Sequence, residues 1–151
     1  CKVIKQGTLK AGDELMFFPK IYRVQIITLS DRASQGVYKD KSGPELVRIT
    51  KEFFEGLNWQ HNIEHIVIPD DEEQLRLYLS KAKEEDYDLL ITTGGTGIGP
   101  RDITPEVVKQ IIDKKIPGIM DFVRMKYGAQ NPNALIFIPE PLRYCVCAKI
   151  I

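Results

Sequence analysis

The sequence has few cysteines, no excess of charge of either sign and no long apolar run. Its three cysteines, Cys1, Cys145 and Cys147, show neither zinc-ligand spacing nor a disulfide framework, which favours a reducing, cytoplasmic setting. Lys plus Arg number 21 and Asp plus Glu number 21, so no bulk charge attracts nucleic acid or an anionic membrane. The apolar runs are strand-sized, well short of the ~20 residues that cross a bilayer. An anionic ligand therefore requires a local site.

What the sequence does contain is an alternation of strand-like and helix-like segments. With 151 residues and 43% hydrophobic composition, it has the material for about one globular core. Strands are predicted at 22–29, 63–68 and 89–93, each followed by a segment of helical periodicity. Such an order predicts right-handed crossovers and an α/β fold, a three-layer αβα sandwich with a mostly parallel central sheet.

Residues 1–20 differ from the rest of the chain. They indicate two short strands around a glycine-containing turn, and Pro19 then interrupts the pattern. We therefore expect residues 1–20 to be a separate β segment and residues 21–151 to form the α/β domain. Because the sequence begins at Cys1 rather than Met, we also expect it to be part of a longer chain.

The strongest chemical signal is a glycine-rich loop after the third predicted strand, between Thr93 and Asp102. Its glycines can expose backbone N–H groups and adopt positive φ, which suits a phosphate or another anion. The alternative is a tight structural connection. The loop has neither the Walker A pattern nor the spacing of the dinucleotide fingerprint. Thr104 and Pro105 are predicted to open the next helix as its N-cap and first residue.

The segment from Ser30 to Gly43 is longer than an ordinary connection between a strand and a helix, which hints at function. It carries cationic and hydroxyl side chains suited to an anionic substrate, although it could equally be an exposed polar loop. Ser42 and Glu45 have the spacing of a helix capping box.

Two carboxylates, Asp70 and Asp102, follow different predicted strands and should meet at the same sheet edge. Beside a phosphate-binding loop they make sense as ligands of Mg²⁺, which prefers oxygen. The alternatives are helix capping for Asp70, and for Asp102 an ion pair with Arg101 or a turn contact. His61 and His65 are expected to be surface or edge residues rather than ligands, straddling a loop and a strand.

Taken together, SDRASQGVYKDKSGP, IPDD and ITTGGTGIGPRDITPE resemble the MogA/MoaB family of molybdopterin adenylyltransferases, in order and spacing over about residues 22–135. The resemblance implies transfer of AMP from Mg-ATP to the terminal phosphate of molybdopterin. It also implies a homotrimer. Residues 1–18 more weakly resemble the closing strands of a MOSC domain.

The resemblance assigns roles by position. Asp70 and Asp102 fall on the aspartates associated with catalysis and with the metal-bound nucleotide. Substrate-binding positions fall on two motifs: Ser30, Asp31, Arg32 and Ser34, and Thr93, Gly94, Gly95, Thr96 and Gly97.

The resemblance ends near residue 135. Residues 136–151 contain no glycine, where the family has a glycine turn and a closing helix. We expect this difference to uncover an apolar face near Val24, Ile26 and Leu90, to promote association and to weaken pterin binding. A molybdopterin-binding module without adenylyltransferase activity is the alternative function, and a nucleotide-binding domain for another substrate is a third.

Overall fold

A four-stranded sheet with strand order β2-β1-β3-β4 forms the centre of the protein. The computed structural model describes residues 11–12, 18–96, 99–128 and 144–148. The strands are β1 (Tyr22–Leu29), β2 (His61–Ile68), β3 (Leu89–Thr93) and β4 (Tyr144–Ala148). Strand β1 pairs in parallel with β2 and with β3, whereas β4 pairs antiparallel with β3. The predicted bounds of β1 and β3 are confirmed, whereas β2 begins two residues earlier than predicted.

Five helices complete the described part of the chain: α1 (Asp31–Ser34), α2 (Ser42–Gly56), α3 (Glu72–Glu84), α4 (Thr104–Ile111) and α5 (Pro117–Gly128). None of the helices in these ranges is long and apolar enough to cross a membrane.

The side chains of β1 alternate between two hydrophobic layers. Val24 and Ile26 pack with Phe54 of α2. Ile27 and Leu29 belong to the cluster that contains the buried leucines of α3 and the valines of α4. Because a strand turns successive side chains to opposite faces, helices must cover both faces of β1. The three-layer prediction is confirmed.

The expectation of an uncovered apolar face is wrong at the residues that motivated it. Val24 and Ile26 are 0% exposed and Leu90 is 6% exposed. Helix α2 covers the first two, while Leu90 lies in the cluster with α3 and α4. The predicted strands of residues 1–20 lie almost wholly outside the described residues, and only 144–148 of the atypical tail is described.

Two local predictions are also wrong. Ser42 and Glu45 do not form a capping box, because Asp40 accepts hydrogen bonds from the backbone N–H groups of Ser42 and Gly43. Glu45 instead pairs with Arg48 one turn later. His61 and His65 do not straddle a loop and a strand, since both lie within β2, the edge strand of the order given above.

Candidate functional site

The candidate site lies where the carboxyl ends of β1 and β3 meet. Helix α2 leads from β1 to β2 on one side, and α3 leads back across the sheet to β3 on the other. This reversal is a topological switch point, where parallel α/β folds open a crevice for ligands. The predicted loops after β1, β2 and β3 all begin at this edge.

Asp31, in the loop after β1, forms hydrogen bonds with the loops after β2 and β3. Its backbone N–H donates to Asp70 Oδ2 over 3.1 Å, and the backbone N–H of Asp70 donates back to Asp31 Oδ1 over 3.0 Å. Arg101, from the loop after β3, donates to Asp31 Oδ2 over 2.8 Å. Two carboxylates can sit this close because backbone N–H groups and a guanidinium offset their charge. The sequence predicts Asp31 only as a substrate-binding residue, so this joining role is new.

Asp70 has one oxygen without a partner. Oδ2 accepts from Asp31, whereas Oδ1 is buried and has no hydrogen-bond partner among the described residues. A Cβ added at Gly95 would lie 3.5 Å from this Oδ1 atom, so the oxygen faces the glycine loop. The alternative role as a helix cap belongs to Asp71, whose side chain accepts from the Gln74 N–H over 2.8 Å. A buried carboxylate oxygen that lacks a donor is suited to a cation or a ligand hydroxyl.

The glycine loop takes conformations that other residues rarely adopt. Gly94 has φ of +93° and Gly95 has φ of +58°. A Cβ at Gly94 would lie 2.1 Å from the Leu29 carbonyl oxygen at the end of β1. Glycine at this position therefore allows the loop after β3 to pass directly against β1.

Thr104 holds the loop from the other side. Its Oγ1 donates to the Gly94 carbonyl over 3.0 Å, and its backbone N–H donates to the Gly95 carbonyl over 3.0 Å. The predicted helix-capping role of Thr104 is wrong, since Thr104 is already the first residue of α4. The hydroxyl instead fixes the path of the loop at a position that is 1% exposed.

Thr104→Val should lower the free energy of unfolding by about 1–2 kcal/mol, because the Gly94 carbonyl loses a buried donor. Urea unfolding measures this change. Thr92→Val is the matched control: Thr92 is equally buried, but its hydroxyl has no partner among the described residues, so its loss should be neutral or stabilising. Equal losses in the two variants would show that the Thr104 hydroxyl does not hold the loop.

The remaining residues predicted from the SDRAS motif mostly shape their own turn. Ser30 Oγ caps α1 by accepting from the Ala33 N–H over 3.2 Å, and Ser34 Oγ donates to the Asp31 carbonyl over 2.9 Å. Arg32 and Ser34 are exposed. Substrate binding by these residues stays a prediction.

Within the glycine loop, Thr93 and Thr96 are buried, with exposures of 6% and 9%. Gly97 lies outside the described residues. Substrate binding by the loop residues also stays a prediction.

Asp102 closes the far end of the glycine loop. Its Oδ2 accepts from the Gly99 N–H over 2.8 Å, which is one of the turn contacts weighed as an alternative. The other alternative, an ion pair with Arg101, is replaced by the Arg101–Asp31 pair. The search of the described residues finds no group of three or more histidine, cysteine or acidic side chains placed to hold a metal.

The residues present nevertheless fit Mg²⁺ bound together with a nucleotide. Protein magnesium sites of this kind use one or two carboxylates, and phosphate oxygens and water complete the shell. Asp70 Oδ1, buried and without a partner among the described residues, is a suitable hard oxygen donor. Among the described residues, the hydrogen bonds of Asp102 join it to Gly99 rather than to Asp70, so its role as the second carboxylate stays a prediction.

Three residues that the sequence did not single out for the site form a second cluster beside it. Thr28 Oγ1 donates to Asp40 Oδ2 over 2.9 Å, and His65 Nε2 lies 3.0 Å from Thr28 Oγ1 and 3.1 Å from Asp40 Oδ2. Asp40 lies in the long segment from Ser30 to Gly43, whose length is the one signal that could have drawn attention to it. No comparable signal marked Thr28 or His65.

An open cavity of about 680 Å³ lies at the opposite end of the strands, lined by residues that include Ile21, Trp59 and His61. It borders the residue before β1 and the first residue of β2. It therefore contributes nothing to the crevice at the carboxyl ends of the strands.

The fold and the site define a three-layer α/β domain with a glycine loop and acidic side chains at its switch point. Comparison with known families identifies it further. The chain belongs to the family described as "probable molybdopterin binding domain", whose model matches residues 25–140.

Individual relatives agree with this family. The chain is 35% identical to a molybdopterin adenylyltransferase of Helicobacter pylori over 114 residues, which cover 75% of this chain and 63% of that protein. It is 39% identical to gephyrin of Dictyostelium discoideum over 122 residues, which cover 77% of this chain and 17% of gephyrin. The match thus spans less than two thirds of these relatives.

Solved structures have the same fold. The tungsten cofactor synthesizing protein MoaB from Pyrococcus furiosus superposes with a TM-score of 0.67 at 29% identity, covering 85% of this chain and 81% of that chain. The molybdopterin biosynthesis Mog protein from Mycobacterium ulcerans gives 0.64 at 36% identity, covering 78% and 73%.

Proposed function

We propose that this domain acts in molybdenum cofactor biosynthesis by transferring AMP from Mg-ATP to the terminal phosphate of molybdopterin. The observation that carries the proposal is the buried Asp70 Oδ1 atom, which has no hydrogen-bond partner among the described residues and faces Gly95 of the glycine loop. The carboxylate oxygen could bind a magnesium ion, and the N–H groups of the glycine loop could bind phosphate. Both are needed by a pair of phosphate-bearing substrates. The curated relatives named molybdopterin adenylyltransferase support the same activity.

In the proposed reaction, an oxygen of the molybdopterin phosphate attacks the α-phosphorus of ATP. A new phosphorus–oxygen bond forms, the bond to the β-phosphate breaks, and pyrophosphate leaves with its electron pair. No covalent enzyme intermediate is needed, so the protein has to position two polyanions and offset their charge. A magnesium ion held by Asp70 and Asp102 would supply charge neutralisation at the transferring phosphate.

The chain's own residues supply the positioning. Gly94 and Gly95 turn the loop so that backbone N–H groups can face an anion, and Thr104 fixes that turn. Asp31 holds Asp70 in place through the reciprocal backbone contacts. The Arg101 side chain is 80% exposed, and among the contacts given above it forms an ion pair with Asp31 alone. Its other guanidinium N–H groups can therefore donate to an incoming phosphate.

The test is to mix the protein with molybdopterin, Mg²⁺ and ATP and to search for adenylylated molybdopterin by mass spectrometry. We expect the product only when all three are present, and its loss on addition of a chelator. Binding of molybdopterin without any adenylylated product would contradict the proposal. That result would favour the alternative, a binding module without transferase activity.

We further propose a homotrimer in the cytoplasm as the working form, and residues 1–20 as the end of a MOSC domain joined to the α/β domain of residues 21–151. The resemblance of the sequence motifs supports the trimer, and the scarce cysteines support the compartment. Light scattering on the purified chain tests the assembly, with a monomeric mass as the contradicting result.

A further inference from the structure

The loop that follows β1 is anchored to the sheet at both of its ends. At its start, Asp31 is joined to Asp70 by the reciprocal hydrogen bonds. At its return, Asp40 uses both carboxylate oxygens. Oδ1 accepts from the Ser42 and Gly43 N–H groups over 3.0 and 3.2 Å, and Oδ2 accepts from Thr28 Oγ1 over 2.9 Å. The second anchor therefore connects the first turn of α2 to β1, two residues before Ser30.

His65 completes the second anchor from the neighbouring strand. Its Nε2 atom lies 3.1 Å from Asp40 Oδ2 and 3.0 Å from Thr28 Oγ1. Thr28 has a single hydroxyl hydrogen and donates it to Asp40. The hydroxyl oxygen can therefore only accept from His65, so Nε2 must carry a hydrogen. The imidazole thus donates toward both partners.

The packing around the imidazole leaves no spare room. A Cβ added at Gly43 would lie 2.0 Å from His65 Nε2 and 2.4 Å from Asp40 Oδ2. Gly43 itself is buried, and the side chains of Asp40 and His65 are only 12% and 22% exposed. The start of α2, the return of the loop and the edge strand β2 thus meet at one close contact.

We propose that His65 is a positioning residue that fixes the return of the loop from Ser30 to Lys41 and thereby sets the affinity of the site for its phosphate-bearing substrates. His65 acts through Asp40 and does not itself touch substrate. The proposal rests on the proposed function, because the family resemblance behind that function puts substrate-binding positions, Ser30, Asp31, Arg32 and Ser34, at the other end of the same loop.

The test compares His65→Leu with His65→Gln, since glutamine can place a donor nitrogen where Nε2 lies. In His65→Leu we expect the KM values for ATP and molybdopterin to rise about threefold to tenfold, the effect of one lost hydrogen bond, with kcat nearly unchanged. KM rises and kcat is spared because the substitution weakens binding of the substrates and of the transition state equally. His65→Gln should restore most of the affinity. His61→Leu is the control, because His61 lies on the same strand but its ring contacts the Trp59 carbonyl instead of Asp40. It should leave KM unchanged.

Hydrogen–deuterium exchange separates this proposal from the proposed function. In His65→Leu, amides of residues 37–45 should exchange about tenfold faster than in the unaltered protein, while those of β1 and β3 keep their protection. Unchanged exchange in this segment, or a fall in kcat with unchanged KM, would overturn the role of His65. If the unaltered protein forms no adenylylated molybdopterin, the proposed function fails, and the exchange comparison still decides whether His65 anchors the loop.

Discussion

Asp70→Asn should lower the rate of adenylyl transfer by about a hundredfold or more, because it removes charge where the transition state needs it. The asparagine oxygen can still accept from the Asp31 N–H, so the joint between the loops is kept. What changes is the buried Oδ1 position, where an amide nitrogen would replace a carboxylate oxygen that accepts no hydrogen bond from the described residues. Single-turnover assays with saturating Mg-ATP measure the loss.

The fold should survive this substitution. The Asp70 carboxylate keeps its hydrogen bond from the Asp31 N–H, but its buried Oδ1 atom has no donor among the described residues. Because burying such an oxygen is unfavourable, the free energy of unfolding of Asp70→Asn should be unchanged or slightly higher. Asp71→Asn is the matched control, since it makes the same chemical change one residue later. Asparagine caps helices about as well as aspartate, so α3 should keep its N-cap and activity should be nearly normal. Equal activity losses at the two positions would remove Asp70 from the proposed mechanism.

Among the described glycines of the loop, Gly94 should be the one whose change to alanine is most damaging. Its Cβ would fall 2.1 Å from the Leu29 carbonyl oxygen, and that oxygen belongs to a buried strand that cannot move aside cheaply. The positive φ of +93° adds strain for any L side chain. We expect a loss of about 2–4 kcal/mol in the free energy of unfolding, together with loss of ligand binding.

Gly56→Ala provides the control for this prediction. It lies at the end of α2, its φ is not positive, and a Cβ there would meet no atom within 4 Å. Since alanine favours a helix over glycine, its stability should be equal or higher by up to about 1 kcal/mol. Thermal and urea unfolding of both variants measure the contrast. A Gly94→Ala protein as stable as Gly56→Ala would mean that the loop does not pass against β1.

Much of the architecture could be predicted because it depends on local patterns. The β-branched runs at 22–29 and 89–93 have strand length, and the segments between them have helical spacing. The parallel order follows from the alternation of strands and helices, and the fold then places the loops at one edge. The approximate place of the candidate site therefore follows from the sequence alone.

The contacts inside the site were not accessible in this way. The mutual hydrogen bonds of Asp31 and Asp70 join residues 39 positions apart, and the Arg101–Asp31 pair spans 70 positions. No periodicity encodes such pairs, since they depend on how three loops leave the sheet. For the same reason, the sequence suggests Asp102 as the partner of the neighbouring Arg101, whereas Arg101 pairs with Asp31.

The helix starts show how local signals can compete. Ser42 with Glu45, and Thr104 with Pro105, both match capping patterns. In the structure Asp40 supplies the cap at α2, and the Thr104 hydroxyl is recruited by the Gly94 carbonyl. At α2 one local contact replaces another, whereas at α4 a contact with the preceding glycine loop outweighs the local pattern.

The proposed reaction transfers AMP, rather than a phosphate group, from ATP to molybdopterin. The most direct measurement uses ATP labelled at the α-phosphorus and, in parallel, ATP labelled at the γ-phosphorus, with chromatographic separation of the products. Adenylyl transfer puts the α-label in the pterin product and the γ-label in pyrophosphate. Transfer of the γ-label to the pterin, or release of both labels without a pterin adduct, would contradict it.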